Sequence, residues 1–216
     1  MTFGLREGVS FCVAGGRHFF LDRNANRYFA LRASDEALFA RLIDRTIDLA
    51  QAQGASRALA QLVCARAQKP LTPFAMTQAP CCDANWQHVR AQPLLVMRAM
   101  LAFAWIKLRL ARHPPAELFK AFALQKQTRP ARQVSQAGLD ALGRAFEQVR
   151  AWTGENQCLP LSLSFAHLAY GMGYPVIIVF AITPRPFGAH CWVQLGGKVL
   201  NDHLGRVEAF TPIYAI

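Results

Sequence analysis

Acidic residues are scarce in this chain. Thirteen Asp plus Glu stand against 24 Lys plus Arg, for a formal net charge of +11 over 216 residues. Long apolar runs are also missing. The stretch from Ala99 to Ile106 is bracketed by Arg98 and Lys107, far short of the roughly 20 apolar residues a membrane span requires. The opening Met-Thr-Phe-Gly-Leu-Arg-Glu has no apolar core followed by a small-residue cleavage site, so no secretory signal is expected and a cytoplasmic location is. Cysteine is sparse, at positions 12, 64, 81, 82, 158 and 191, with no Cys-x-x-Cys pair. That excludes a disulfide scaffold and zinc-ribbon spacing, and the thiols are expected to be reduced. No Gly-x-x-x-x-Gly-Lys-Ser/Thr is present, so no phosphate-binding loop and no recognisable cofactor motif are read.

What remains is an ordinary globular composition, 53% hydrophobic and 17% charged, too apolar for disorder. The length fits one or two domains at roughly 100–200 residues each. Residues 9–13, 18–21 and 28–31 alternate as short strands, with Gly15-Gly16 and residues 22–26 as turns. Ser34 is expected to cap a helix that carries Leu38, Leu42, Ile43 and Leu49 and ends at Gly54; Ser56 is expected to cap the next. Three strands followed by helices make a small winged-helix-like unit over residues 1–78. Its second helix, Ser56 to Lys69, carries only Arg57, Arg66 and Lys69, so no nucleic-acid partner is expected despite a pI near 10.0.

Residues 79–134 read as a basic helical linker region. Pro93 opens a helix that closes before Pro114-Pro115. Between Ala84 and Leu139 there are nine basic residues and one acidic, Glu117. The two readings are a solvated helical face and a docking face for an acidic partner.

Residues 135–216 read as helix, helix, then antiparallel sheet, an α+β arrangement. Ser135 and Cys158 begin the helices. Val176 to Ile182, His190 to Leu195 and Lys198 to Asp202 are the strands, and Val207 to Phe210 is a candidate edge strand. Cys158 at a helix N-terminus is placed where the helix dipole favours a thiolate. A nucleophilic Cys needs a base, and the base an orienter; His190 and Asp202 have the types. A two-residue loop at Gly196-Gly197 sets His190 opposite His203. A three-residue loop, Leu195 to Gly197, sets it opposite Asp202, and that register is the expected one. Alternation then turns Cys191 away from the site, and it splits His190, Cys191, Asp202 and His203 between two faces, against a metal centre.

Three segments carry a family likeness: Cys158-Leu159-Pro160-Leu161-Ser162-Leu163, Pro186-Phe187-Gly188-Ala189-His190-Cys191-Trp192-Val193, and Val199-Leu200-Asn201-Asp202. With the strand Ile177-Ile178-Val179 between them, they resemble the lasso-peptide maturation B proteins of bacteria, leader peptidases with a transglutaminase-like (papain-like) fold. The likeness covers residues 155–216. It implies a cysteine peptidase domain over residues 135–216 with Cys158, His190 and Asp202 as its catalytic triad. The Cys158 amide is one oxyanion donor, and Gln157 and Asn156 are candidates for the second. The N-terminal unit resembles the PqqD-like leader-binding domain of the same systems, with Tyr28, Phe29, Ala30 and Leu31 as the leader-binding strand. The resemblance further implies a lasso precursor as substrate, an asparagine-synthetase-like cyclase as partner, and an ATP requirement that no motif in this chain explains. The competing role is a non-catalytic adaptor that binds the leader and delivers the precursor to the cyclase.

Overall fold

The computed structural model describes residues 3–65, 71–128, 133–154 and 156–216. The chain divides into two compact units, Met1–Ala75 with Thr211–Tyr214, and Met76–Phe210 with Ala215–Ile216. Both mix helices with antiparallel strands, so the fold class is α+β. Among the described residues, no helix is long and apolar enough to cross a membrane.

The first unit contains β1 (Phe3–Leu5), β2 (Val9–Ala14), β3 (Arg17–Asp22), β4 (Arg27–Ala30), α1 (Ala33–Ile43), α2 (Leu49–Ala55), α3 (Arg57–Leu62) and β5 (Val63–Ala65). β2, β3 and β4 form an antiparallel sheet in that order, and β1 pairs with β5. Gly15 and Gly16 both take positive φ, 55° and 75°, as a two-residue type I′ hairpin between Ala14 and Arg17 demands. Alternation brings Phe11 of β2 and Phe20 of β3 to one face, where Phe39 of α1 meets both edge-on at 5.4 and 5.1 Å. Asp22 is buried at the sheet's end. It pairs with Arg6 and accepts the Asn24 and Ala25 amides at 3.0 Å, which builds the turn into β4.

The single helix expected from Ser34 to Gly54 is two. Its N-cap is Arg32, not Ser34. The chain breaks after Ile43, with Arg45 in the left-handed region at φ 57°, and Asp48 restarts it through a capping box with Gln51. The apolar spacing runs through the break because both helices pack on the same core. Ser56 caps α3 as expected, its hydroxyl accepting the Leu59 amide at 3.2 Å.

The second unit contains β6 (Cys82–Asp83), α4 (Pro93–Arg112), α5 (Pro115–Thr128), α6 (Gln136–Trp152), α7 (Cys158–Gly171), β7 (Ile177–Pro184), β8 (Phe187–Leu195), β9 (Lys198–Val199) and α8 (Leu204–Val207); β10 (Thr211–Ala215) ends the chain's secondary structure. Residues 82–128 thus supply a strand and two helices of this unit: β6 pairs with β9, and α4 packs on α6 and α7. α7 is the central helix. It is apolar nearly all round and buries Leu163, Phe165, Ala166 and Ala169 completely, as a helix enclosed on several sides must.

The sheet runs β7, β8, β9, β6, with Ile178 on β7 exchanging both backbone hydrogen bonds with the C-terminal Ile216. Two details differ from expectation. β9 is only two residues, and it pairs Gln194 with Val199 and Leu195 with Lys198, the two-residue-loop register. The cause lies at the turn. Gly196 has φ 59°, fitting a two-residue II′ hairpin, and a Cβ on Gly197 would stand 2.6 Å from Cys81 Sγ. Residues 207–210 are also not a strand: Leu204–Val207 is helical and the strand comes later, as β10.

Trp86 is almost fully buried and donates its indole N–H to the Leu200 carbonyl at 3.3 Å. The space is left by Gly143 on α6, where a Cβ would stand 2.1 Å from the Trp86 ring. Gly143→Ala is therefore expected to displace Trp86 and the Leu200–Asp202 turn. Overpacking of this kind costs about 1–3 kcal/mol. A thermal melt checks it, with the midpoint falling about 2–4 °C per kcal/mol in a chain of this size.

Candidate active site

β8 has an open edge. Its partner β9 stops at Val199, and past that point the edge amides of β8 find other acceptors. Leu200 makes the last ladder bond, its amide to the Val193 carbonyl at 2.8 Å. The Val193 amide then donates to Asn201 Oδ1 at 2.7 Å. Two residues along the same edge, the Cys191 amide donates to the sulfur of Cys158. The N-terminus of α7 therefore docks against the strand where the sheet has run out of partners.

Cys158 is the first residue of α7, with Gln157 as N-cap. Pro160 has no N–H and the Leu161 amide is bonded to the Gln157 carbonyl at 3.0 Å, so only the Cys158 and Leu159 amides of that turn lack an intrahelical acceptor. The helix is held in place by buried hydroxyls. Ser162 donates to the Cys191 carbonyl at 3.2 Å and accepts from Asn201 Nδ2 at 2.9 Å. Helix, strand and the 200–202 turn are thus joined by one fully buried serine.

His190 lies on β8 with its ring against Phe210 at 5.0 Å. Its Nε2 meets Asp202 Oδ2 at 2.5 Å, which leaves Nδ1 for the hydrogen bond that the ring also makes with Cys158. Both His190 and Asp202 are buried. The other Asp202 oxygen accepts the His203 amide at 2.9 Å and Arg150 Nη2 at 3.5 Å, while Arg150 Nη1 holds the Asn201 carbonyl at 2.9 Å. The structure brings Cys158, His190 and Asp202 together. It does so in the register that alternation alone sets against them, because Asp202 is not in a strand: the chain leaves the ladder after Leu200 and swings the carboxylate under the ring.

Cys191 is the larger correction. It was expected to point away from the site, yet its thiol donates to Cys158. Alternation itself is obeyed. Cys191 pairs with Phe180, whose ring meets Phe119 of α5, and His190 pairs with Ala181 in the cluster on the opposite face. The Cys158 sulfur, carried by a helix start at the strand's edge, interacts with the side chains of both Cys191 and His190. Ser162 and Asn201, polar residues in apolar surroundings, are the sequence signal for this junction. Gln157 is half-buried and its side chain makes no capping bond; Asn156 is exposed and left-handed at φ 61°.

These contacts fix the charges. The Cys158 thiol falls to about 4, driven first by the Cys191 thiol, then by His190 and the Cys191 amide, against the upward push of burial. His190 rises to about 9: burial pulls it down, and the bonds to Asp202 and Cys158 more than offset that. Burial pushes Asp202 up, but His190 and the His203 amide bring it below the ordinary carboxylate value. Cys191 goes well above an ordinary thiol, through its bond to Cys158 and its burial, and so stays protonated. Between about pH 4 and 9 the site holds a thiolate–imidazolium pair. Among the described residues, no group of three or more His, Cys, Asp or Glu could hold a metal ion.

Alkylation of Cys158 by iodoacetamide, followed by peptide mass spectrometry, checks this. The rate is expected to hold its plateau at neutral pH and fall as the pH drops through about 4, since a lowered pKa keeps the reactive thiolate down to that point. Cys191→Ala removes the thiol donor, and the titration is expected to move upward. An unmoved titration contradicts the role given to Cys191.

A family model of the transglutaminase-like superfamily matches residues 99–215, more than half of the chain. No curated protein and no solved structure matches it. The matched span runs from within α4 to the end of β10 and contains Cys158, His190, Asp202 and every side chain described above as touching them. The chain belongs to the transglutaminase-like superfamily.

Proposed function

We propose that the protein is a cysteine peptidase that removes the leader from a ribosomally made lasso-type precursor. The observation that carries the reading is the buried chain of contacts from Asp202 through His190 to a thiolate at a helix N-terminus. That arrangement has the three parts of a nucleophilic site: a sulfur held ionised, a base in contact with it, and a carboxylate that fixes the base.

The Cys158 thiolate attacks the carbonyl carbon at the leader–core junction, and the carbonyl oxygen takes the electron pair. The Cys158 amide is one donor to that oxygen, and Gln157 or Asn156 supplies the other; one such donor is worth about 3–4 kcal/mol. His190 gives its Nδ1 proton to the leaving amine, which departs with the core peptide, and the leader stays on sulfur as a thioester. His190, now neutral, takes a proton from water; hydroxide adds to the thioester and the leader leaves as a carboxylic acid. Asp202 keeps the Nε2 proton in place throughout.

Leader recognition is assigned to the first unit, read as PqqD-like. β4 is an outer strand of its sheet. Phe29 stacks on Phe20 at 5.1 Å and Leu31 is buried, so these residues commit their side chains to the core and leave the backbone edge for pairing. Beside them, between β4 and α3, lies a cavity of about 510 Å³ lined by Phe29, Leu31, Leu62 and four arginines, Arg6, Arg27, Arg32 and Arg57. It is a groove for an extended peptide with both apolar and acidic side chains. The ATP requirement implied by the lasso resemblance is assigned to the cyclase partner.

Purified protein with precursor, cyclase and ATP is expected to release the core peptide. Cys158→Ala is expected to abolish release while leaving the fold intact, and Asp202→Asn to lower the rate by several orders of magnitude through loss of the tautomer. kcat/KM is expected to rise with pH through about 4 and fall through about 9, as the thiolate forms and the imidazolium is lost. Precursor that stays bound but uncut by the wild type assigns the protein the adaptor role instead. Hydrogen exchange of the Cys158→Ala protein with synthetic leader checks recognition: the amides of Arg27 to Ala30 are expected to gain protection, and a leader that protects only the second unit contradicts the assignment.

A further inference from the structure

The helix α4 has two apolar faces, and the fold uses one. Ala99, Ala102, Phe103 and Ile106 are buried, on the side that packs against α6 and α7. The opposite side is exposed and just as apolar. Leu94 is 67% exposed, Met97 52%, Leu101 63% and Leu108 47%. With Trp105, they make up more than half of the large hydrophobic residues exposed among those described.

The spacing of this outer face is a heptad repeat. Leu94, Leu101 and Leu108 recur every seven residues, and Met97, Ala104 and Ala111 recur every seven between them. These are the a and d positions of a three-heptad seam. All six are exposed, Ala104 and Ala111 included. The small alanines at two d positions leave room for a second helix to approach closely. The positions that flank such a seam carry Arg98, Trp105 and Arg112 on one side and Met100 and Lys107 on the other, and all of these but Met100 are exposed. A seam of this width suits a helix better than a bilayer, which is met by a broad apolar arc.

We infer that the outer face of α4 is a docking surface for an acidic amphipathic helix of a partner protein, one with leucine-type residues at heptad spacing and Glu or Asp on both flanks. The charge selects the occupant. A second copy of this chain would set Arg98, Lys107 and Arg112 against the same residues in either orientation, and like charges flanking a seam oppose pairing. No acidic residue of α4 offsets them; the nearest is Glu117 on α5. An acidic helix turns every one of these repulsions into an attraction. The surface is distinct from the site at Cys158, and its role does not rest on the peptidase reading.

The test uses the full chain and a synthetic 21-residue peptide with Leu at every a and d position and Glu at every e and g position, labelled for fluorescence anisotropy. The expected result is binding in the micromolar range that weakens as salt rises. Binding should be lost by about tenfold or more in Leu101→Asp, which places a charge in the seam, and in the double variant Arg98→Glu, Arg112→Glu. Leu101 is so exposed that the fold is expected to survive, which circular dichroism checks; the charge-reversal variant tests the seam independently. Equal binding of a peptide with Lys at e and g overturns the inference. So does failure of the acidic peptide to bind, co-sedimentation with phosphatidylglycerol vesicles that Leu101→Asp abolishes, or a dimer in sedimentation velocity that Leu101→Asp dissociates.

Discussion

Everything at the site depends on β9 ending after two residues. Had the strand continued, Asp202 would lie in the ladder with the wrong face toward His190, and the edge amides of β8 would be spent on backbone carbonyls. Because it ends, the Val193 amide takes the Asn201 side chain and the Cys191 amide takes the Cys158 sulfur. The end of a sheet, elsewhere a liability to be covered, is covered here by a helix N-terminus with a thiol on it.

The charges follow from that docking. The donors that reach Cys158 are a thiol, an amide and an imidazole, and burial alone would act against ionisation. His190 is raised for the complementary reason: Asp202 on Nε2 and the sulfur on the other side both favour its protonated form over the cost of burial. Ser162 and Asn201 tie the three supporting elements together, and Trp86 holds the carbonyl of Leu200 two residues before Asp202.

Much of this was legible in the residues. Pro93, Ser135 and Cys158 mark helix starts that the structure keeps, and Gly15-Gly16 marks a hairpin. Cys158, His190 and Asp202 could be singled out from residue type, order and the family likeness, and the structure brings the three together. The register could not, because it was fixed by a contact between Gly197 and the 79–81 segment, more than 100 residues away in sequence. The break between α1 and α2 was hidden by apolar spacing that serves both helices equally. Cys191 was hidden by a rule that is true: alternation places it opposite His190, and only the edge position of Cys158 lets one sulfur meet both.

In the proposed reaction Cys158 carries the leader as a thioester. Intact-mass spectrometry of the Asp202→Asn protein, acid-quenched during reaction with a leader-bearing precursor, tests it most directly. The expected result is a covalent increment equal to the leader acyl group, mapped to the peptide that contains Cys158. An increment on Cys64, Cys81 or Cys82, or cleavage that persists in Cys158→Ala, would contradict it.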